Sequence, residues 1–270
     1  MSDDERPRLG GMALANGLLV HGPRHWAAAV REGDGSVAVA SGAKPRLAVG
    51  PLESVPLVRG VLRLGEAIAV LPAVRMGMPQ ARFAMEERGA GAGVLIALGA
   101  TAYARRRIRS PLGQEAVVAA AGLLPALLSL RGSRAAVWHA VEHKSIAAYE
   151  SGGPDEVANA GAHPKEHPRC GSNLVLPLMA TTTLANLLAR RVDRRLGPRT
   201  RAVAAVAGAG MAVELFAFAH RRPQNPVARV VHGAGHLLQA RFATREPGAA
   251  DLEVGRSAMA ALFRAEGIRG

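Results

Sequence analysis

Residues 170–189 read CGSNLVLPLMATTTLANLLA, twenty positions without a charge, closed by Arg190–Arg191. A helix needs about 20 apolar residues to cross the hydrocarbon of a bilayer, whereas 10–14 favour a helix buried in a protein core. This stretch meets the longer requirement, and three others share its character. Residues 202–219 (AVAAVAGAGMAVELFAFA) carry one charge, Glu214, before His220–Arg221–Arg222. Residues 89–104 (GAGAGVLIALGATAYA) end against Arg105–Arg106–Arg107, and residues 116–130 (AVVAAAGLLPALLSL) lie between Glu115 and Arg131. The last two are short, but their Gly and Ala let membrane helices approach closely, and terminal arginines lengthen a short span by snorkelling. The fold expected is mainly α, a polytopic, multi-pass cell-membrane protein with about four hydrophobic helices and a small N-terminal β-hairpin region.

The composition agrees. Of 270 residues, 49% are hydrophobic and 3% aromatic, and 34 Lys plus Arg against 21 Asp plus Glu leave a formal charge of +13. So apolar a chain is not disordered, and a single cysteine, Cys170, excludes a disulfide scaffold. The bases are 31 Arg and 3 Lys, a ratio that reads as base-composition bias as much as selection. Nucleic-acid binding, which wants basic residues interleaved with stacking aromatics, is the less favoured reading. The arginines bracket apolar segments instead, which points to a bilayer with anionic lipids as partner, with a homo-oligomer left open. They do not orient the chain. The loops 105–115 and 190–201 hold ten Arg, and nine Lys or Arg flank the segment ends on the other side. The opening MSDDERPRLGG has no apolar run of the kind a cleavable signal peptide carries.

Three regions follow along the chain. Residues 1–56 read as β-rich, with a hairpin turning at Asp34–Gly35 and Val37 and Val39 alternating with small residues. Residues 57–88 read as an amphipathic helical segment with Arg59, Arg63 and Glu66 on its polar side and Pro72 as a break, suited to the membrane surface or to packing on the hairpin. Residues 89–270 form the helical membrane domain, which contains a motif region at 133–171 and a polar C-terminal tail at 221–270 ending in a short amphipathic helix.

The chemistry concentrates in the motif region. Gly132–Ser133 offers an N-cap and Ser151–Gly152–Gly153–Pro154 a stop, so residues 134–150 form a helix. On it His139 and His143 are four apart and share one face, flanked by Glu142. This is the His-x-x-Glu-His spacing of the inverzincin metallopeptidases: two imidazoles bind a divalent metal, and the carboxylate accepts a proton from water. A loop of polar and small residues then leads to His167 and Cys170, either of which can return to that face as a further ligand. Glu150, seven residues past His143, lies roughly 10 Å along the axis at 1.5 Å per residue. It is too far to ligate the same ion and is placed to orient a ligand or bind substrate. His232 and His236 are also four apart, without an adjacent carboxylate, and read as structural. Glu214, a carboxylate in an apolar segment, is either functional or snorkels to the arginines at the segment's end.

Four blocks resemble the YqhQ-like family of uncharacterised bacterial integral membrane proteins. They are GGMALANGLLVHGPRHWAAAVR from Gly10 to Arg31; Arg59–Gly60–Val61 with Glu66; HAVEHKSIAAYE from His139 to Glu150 together with His167–Pro168–Arg169–Cys170–Gly171; and Leu238–Gln239 with Thr244–Arg245–Glu246–Pro247 and Leu252–Glu253–Val254. The resemblance spans nearly the whole chain and implies a metal-dependent enzyme. It draws His139, Glu142, His143, Lys144, His167, Arg169 and Cys170 into one constellation, with Glu214, Gln239 and Glu246 in support. Asn16 stands where the family pattern has a glutamate, and His163 lies outside the pattern.

The expectation is therefore a membrane-embedded metal-dependent enzyme, a hydrolase, with a divalent metal (zinc, or iron) held by His139, His143, His167 and Cys170. Glu142 and Lys144 would be the catalytic groups, and Glu150, Arg169, Glu214, Gln239 and Glu246 would support them or bind substrate. The alternative is a non-catalytic membrane assembly, scaffold or transport protein with a structural metal site or none.

Overall fold

The structure, a computed structural model, describes residues 6–46, 50–130, 133–194 and 196–269. The N-terminal region builds more than a hairpin. Strands β1 (Gly10–Ala13), β2 (Gly17–His21), β3 (His25–Arg31) and β4 (Val37–Ala43) form an antiparallel meander in the order β1-β2-β3-β4. The expected turn lies between β3 and β4, where Arg31 pairs with Val37. Gly35 adopts a positive φ of 87° there, and the Asp34 carboxylate accepts from the Ser36 backbone N–H at 2.9 Å.

The two central strands are buried on both faces, which is why their sequences read as continuous apolar runs rather than alternating ones. On one face Leu18, Val20, Ala27 and Ala29 meet Trp138, Val141 and Tyr149 of helix α5 (Ala135–Gly152), and Val254, Met259 and Leu262 of the C-terminal helix α9 (Ala249–Glu266). On the other, Leu19, Trp26, Ala28 and Val30 pack against Val70, Val74 and Met78 of α1 (Val58–Gly77) and its exit. The C-terminal residues thus close on the N-terminal sheet. Glu266 fastens them, accepting from the backbone N–H groups of Arg24 and His25 at 2.7 Å each. Gly22 leaves the room for this contact, since a Cβ there would lie 2.5 Å from the carboxylate oxygen.

Helix α5 begins at Ala135, one residue later than expected: its N-cap residue is Arg134, which makes no side-chain cap, and the Ser133 hydroxyl one position earlier accepts from the Ala135 N–H at 3.2 Å, while Gly132 lies outside the described residues. It ends at Gly153, whose φ of 84° suits glycine, ahead of Pro154. Thirteen of its 18 residues are buried, so it is a core helix surrounded by protein.

The remaining helices behave differently. These are α2 (Arg88–Arg107), α3 (Pro111–Gly122), α4 (Leu124–Leu130), α6 (Val175–Val192), α7 (Pro198–Arg221) and α8 (Pro226–Leu238). Among the described residues, three segments are long and apolar enough to cross a membrane: Pro111–Leu130, Gly171–Val192 and Pro198–Arg221. That is one fewer than the four expected. The uncharged run of α2 is too short once Arg88 and Arg105 to Arg107 are counted, although its Leu95 is 72% exposed. The segments also turn apolar side chains outward, including Leu184 and Leu188 on α6 and Val203 and Val206 on α7. Small residues make the close crossings. A Cβ on Gly208 would lie 2.8 Å from the Thr182 Cα, and one on Gly93 would lie 2.6 Å from the Pro125 Cα. The Thr181 hydroxyl donates across α6–α7 to the Gly208 carbonyl at 2.7 Å.

The reading of Pro72 as a break changes. Pro72 sits within α1 rather than ending it; the helix continues, with the Ile68 carbonyl lacking its usual donor. The 116–130 stretch is instead interrupted at Leu123, two residues ahead of Pro125. The arginine expected on a polar face of α1 turns inward: Arg59 donates to both carboxylate oxygens of Glu214 on α7, at 2.7 and 2.6 Å.

Candidate metal centre

Helix α5 carries His139 and His143 on one face, their ring centroids 4.3 Å apart. Each ring is held from behind. His139 Nδ1 donates to the Ala243 carbonyl at 2.9 Å, and His143 Nδ1 donates to the Lys165 carbonyl at 2.6 Å. A carbonyl can only accept, so both protons reside on Nδ1 and both Nε2 atoms carry lone pairs. This is how metal-binding histidines are oriented by their outer partners. Ala243 supplies a free carbonyl because it ends the π-helical turn Gln239–Ala243, where the last carbonyls have no partner in the helix.

Cys170 meets this pair from the loop before α6. Its Sγ is 3.2 Å from His139 Nε2. One ligand atom from each of His139, His143 and Cys170 lies within 4.8 Å of the others. Nε2 of His143 is buried without a hydrogen-bond partner among the described residues. Burial pushes the Cys170 thiol up from its ordinary value, so without a cation it donates S–H to His139. Burial, then the neighbouring His139, lowers His143 from 6.5 to about 2, keeping the imidazole neutral.

Glu142 is 5% exposed, with an oxygen 3.6 Å from His143 Nε2. Burial raises its carboxyl from 4.5 to about 8. Gly11 of β1 makes its place: a Cβ there would lie 2.6 Å from the Glu142 Cγ. His139, Glu142, His143, His167 and Cys170 all line one cavity of about 490 Å³ between β1 and α5.

The other expected residues form the surrounding framework. Nε2 of His167 donates to Glu150 at 3.2 Å, and its Nδ1 accepts from the Arg169 backbone at 3.3 Å, so both ring nitrogens are engaged away from the trio. Burial lowers His167 to about 4. Glu150 also pairs with Arg169, drawing the loop onto the end of α5. Gln239 is 1% exposed and grips the His167 backbone from both ends of its amide, accepting its N–H at 2.7 Å and donating to its carbonyl at 3.2 Å. Lys144 points elsewhere, donating to the carbonyls of Gly161 and His163 and pairing with Glu246 at 2.6 Å. Glu214, committed to Arg59, is not among the cavity's lining residues. Asn16 fastens the segment before α2, holding Gln80 and Arg82. His232 accepts a structural role, bonded to the Ala219 carbonyl at 3.3 Å.

Several contributors escape a reading of the sequence. The carbonyls of Lys165 and Ala243 carry no side-chain signature. Asn173, 2% exposed, donates to the carbonyls of His167, Pro168 and Cys170 and so shapes the cysteine loop. Its amide in an otherwise apolar stretch was the available signal. His21 lines the cavity as well, from the far end of β2.

Residues 132–265 match the model of a family described as a protein of unknown function (DUF1385), a stretch that runs from the head of α5 almost to the end of α9. The match supports an uncharacterised family and covers every ligand candidate. No curated protein and no solved structure matches the chain.

Proposed function

We propose that this chain is a YqhQ-like integral membrane protein and a metal-dependent hydrolase, with zinc held by His139, His143 and Cys170 and with Glu142 as proton carrier. One observation carries the reading: two histidines are locked by Nδ1–H···O=C bonds so that their Nε2 lone pairs converge with a half-buried thiol, and one of these, on His143, has no hydrogen-bond partner among the described residues. Two imidazoles and one thiolate suit zinc, whose structural sites are closed by four protein ligands while catalytic ones keep a position open. His167, held by Glu150 and the Arg169 N–H, leaves three protein donors and favours the open kind. The bound cation would supply Lewis-acid polarisation to a substrate or water in the cavity.

The chain's own groups supply the rest. Glu142 sits beside the ligands and accepts a proton when ionised; a nearby cation lowers its affinity for that proton. Three span-length segments among the described residues, with outward apolar side chains, support a site at the edge of a bilayer.

Elemental analysis of the purified chain tests this directly. About one zinc per chain is expected, lost in Cys170→Ser and His139→Ala and retained in Glu142→Gln. In the cobalt-substituted protein a thiolate-to-cobalt charge-transfer band is expected and should vanish in Cys170→Ser. Wild-type protein that neither retains zinc nor takes up cobalt would end the proposal.

A further inference from the structure

A second cavity, about 710 Å³, lies on the other side of the segments that hold the two histidines, between α4 and the π-helical turn Gln239–Ala243. Its lining is divided by chemistry. Leu127 and Leu128 of α4 and Phe242 give it an apolar wall, and Lys165, Arg241 and Arg245 give it a basic one. The acid among its described lining residues, Glu246, is already paired with Lys144 at 2.6 Å. The three cations are poorly committed. Lys165 Nζ has two long contacts, 3.5 Å to the Ala240 carbonyl and 3.8 Å to Glu166. The guanidinium groups of Arg241 and Arg245 have no side-chain hydrogen bond or ion pair among the described residues and are exposed.

An apolar trough lined by three cations asks for a ligand that is apolar at one end and anionic at the other. The volume is within the range of small-molecule sites, roughly 300–1,000 Å³. Its apolar wall belongs to α4, the end of the span-length segment Pro111–Leu130, so the trough continues the surface that a bilayer would cover. Guanidinium forks match phosphate geometry. We infer that this cavity binds an anionic phospholipid, its phosphate between Lys165, Arg241 and Arg245 and its first chain carbons against Leu127, Leu128 and Phe242. None of these side chains belongs to the His139/His143/Cys170 cluster, so the inference stands apart from the metal reading.

The test uses the full chain in neutral detergent, titrated by native mass spectrometry with phosphatidylglycerol, with phosphatidylcholine of the same chains, and with inorganic phosphate. Phosphatidylglycerol should bind at least about tenfold more tightly than either of the others. The double variant Arg241→Gln/Arg245→Gln, made at two exposed side chains without a hydrogen bond or ion pair among the described residues, should lose at least about tenfold of that affinity, while phosphatidylcholine binding is unchanged. General attraction of a +13 chain for anionic lipid survives the loss of two of its 34 basic residues, so wild-type affinity in the double variant overturns the site. Equal binding of the two lipids overturns it as well. Phosphate binding as tight as phosphatidylglycerol would show an anion site without a lipid component, and also overturns it.

Discussion

Gly11 of β1 and Glu142 of α5 meet so closely that a Cβ on the glycine would lie 2.6 Å from the Glu142 Cγ and 2.7 Å from its Oε1. The carboxylate reaches the cavity only because the strand beside it has no side chain there. The same Cβ would lie 2.8 Å from the Leu19 carbonyl of the paired strand, so the position is closed on two sides. Overpacking of this kind costs about 1–3 kcal/mol. Gly11→Ala is expected to lower the melting temperature by several degrees, and adding Glu142→Ala should recover part of that loss. Additive losses in the double variant, measured by thermal unfolding, would mean that the two residues do not compete for space.

Gln239 holds the backbone of His167 at both its N–H and its carbonyl. Gln239→Leu leaves a buried N–H without its acceptor, a loss of about 1–3 kcal/mol. The carbonyl keeps Asn173 at 3.2 Å, and Gln239→Glu with its buried carboxyl neutral still accepts the N–H and offers an O–H to the carbonyl, so it should lose less. Urea unfolding of the two variants gives the comparison, and equal midpoints would contradict it.

Arg59 and Glu214 form a two-pronged pair between α1 and α7. Glu214 lies within a span-length apolar helix, where an unpaired carboxylate is expensive. Arg59→Gln should therefore destabilise the chain more than Arg59→Gln/Glu214→Gln does. Thermal unfolding in detergent reads the difference, and a double variant no more stable than the single one would count against the pair.

His21 carries a pH signature. Burial, then the nearby Lys44, lowers it from 6.5 to about 4. The unfolded chain therefore binds the proton first. The stability that goes with the neutral ring is complete above pH 6.5 and is lost as pH falls towards about 4. At about 1.4 kcal/mol per unit the loss reaches on the order of 3 kcal/mol. His21→Gln should flatten that acid limb, measured as melting temperature against pH. An unchanged slope would assign the acid sensitivity to other groups.

Much of the histidine cluster was legible because it is local. The spacing of His139, Glu142 and His143 on one helical face follows from 3.6 residues per turn, and the capping residues at either end of α5 set its limits. The long uncharged stretches were legible for the same reason, since chain length and hydropathy decide whether a helix suffices to cross a bilayer. The exception among them was α2, where arginines that seemed to bracket a span shorten it below the requirement.

What lay beyond the sequence was long-range. Nothing in residues 167–170 distinguishes His167 from Cys170 as a partner for His139. The choice falls to the cysteine because Glu150, Arg169, Gln239 and Asn173 hold the loop with the histidine turned aside. The carbonyls that fix the two imidazoles belong to Lys165 and Ala243, 22 and 104 residues away from their rings. Closure of α9 over the N-terminal sheet joins residues more than 240 apart. The sequence by itself thus determined the helices, their apolar character and the face on which the histidines stand, because those depend on neighbours within a few turns. Only the tertiary structure decided which donors converge, because a backbone carbonyl has the same chemistry at every position and acquires a role only from the segment that folding brings against it.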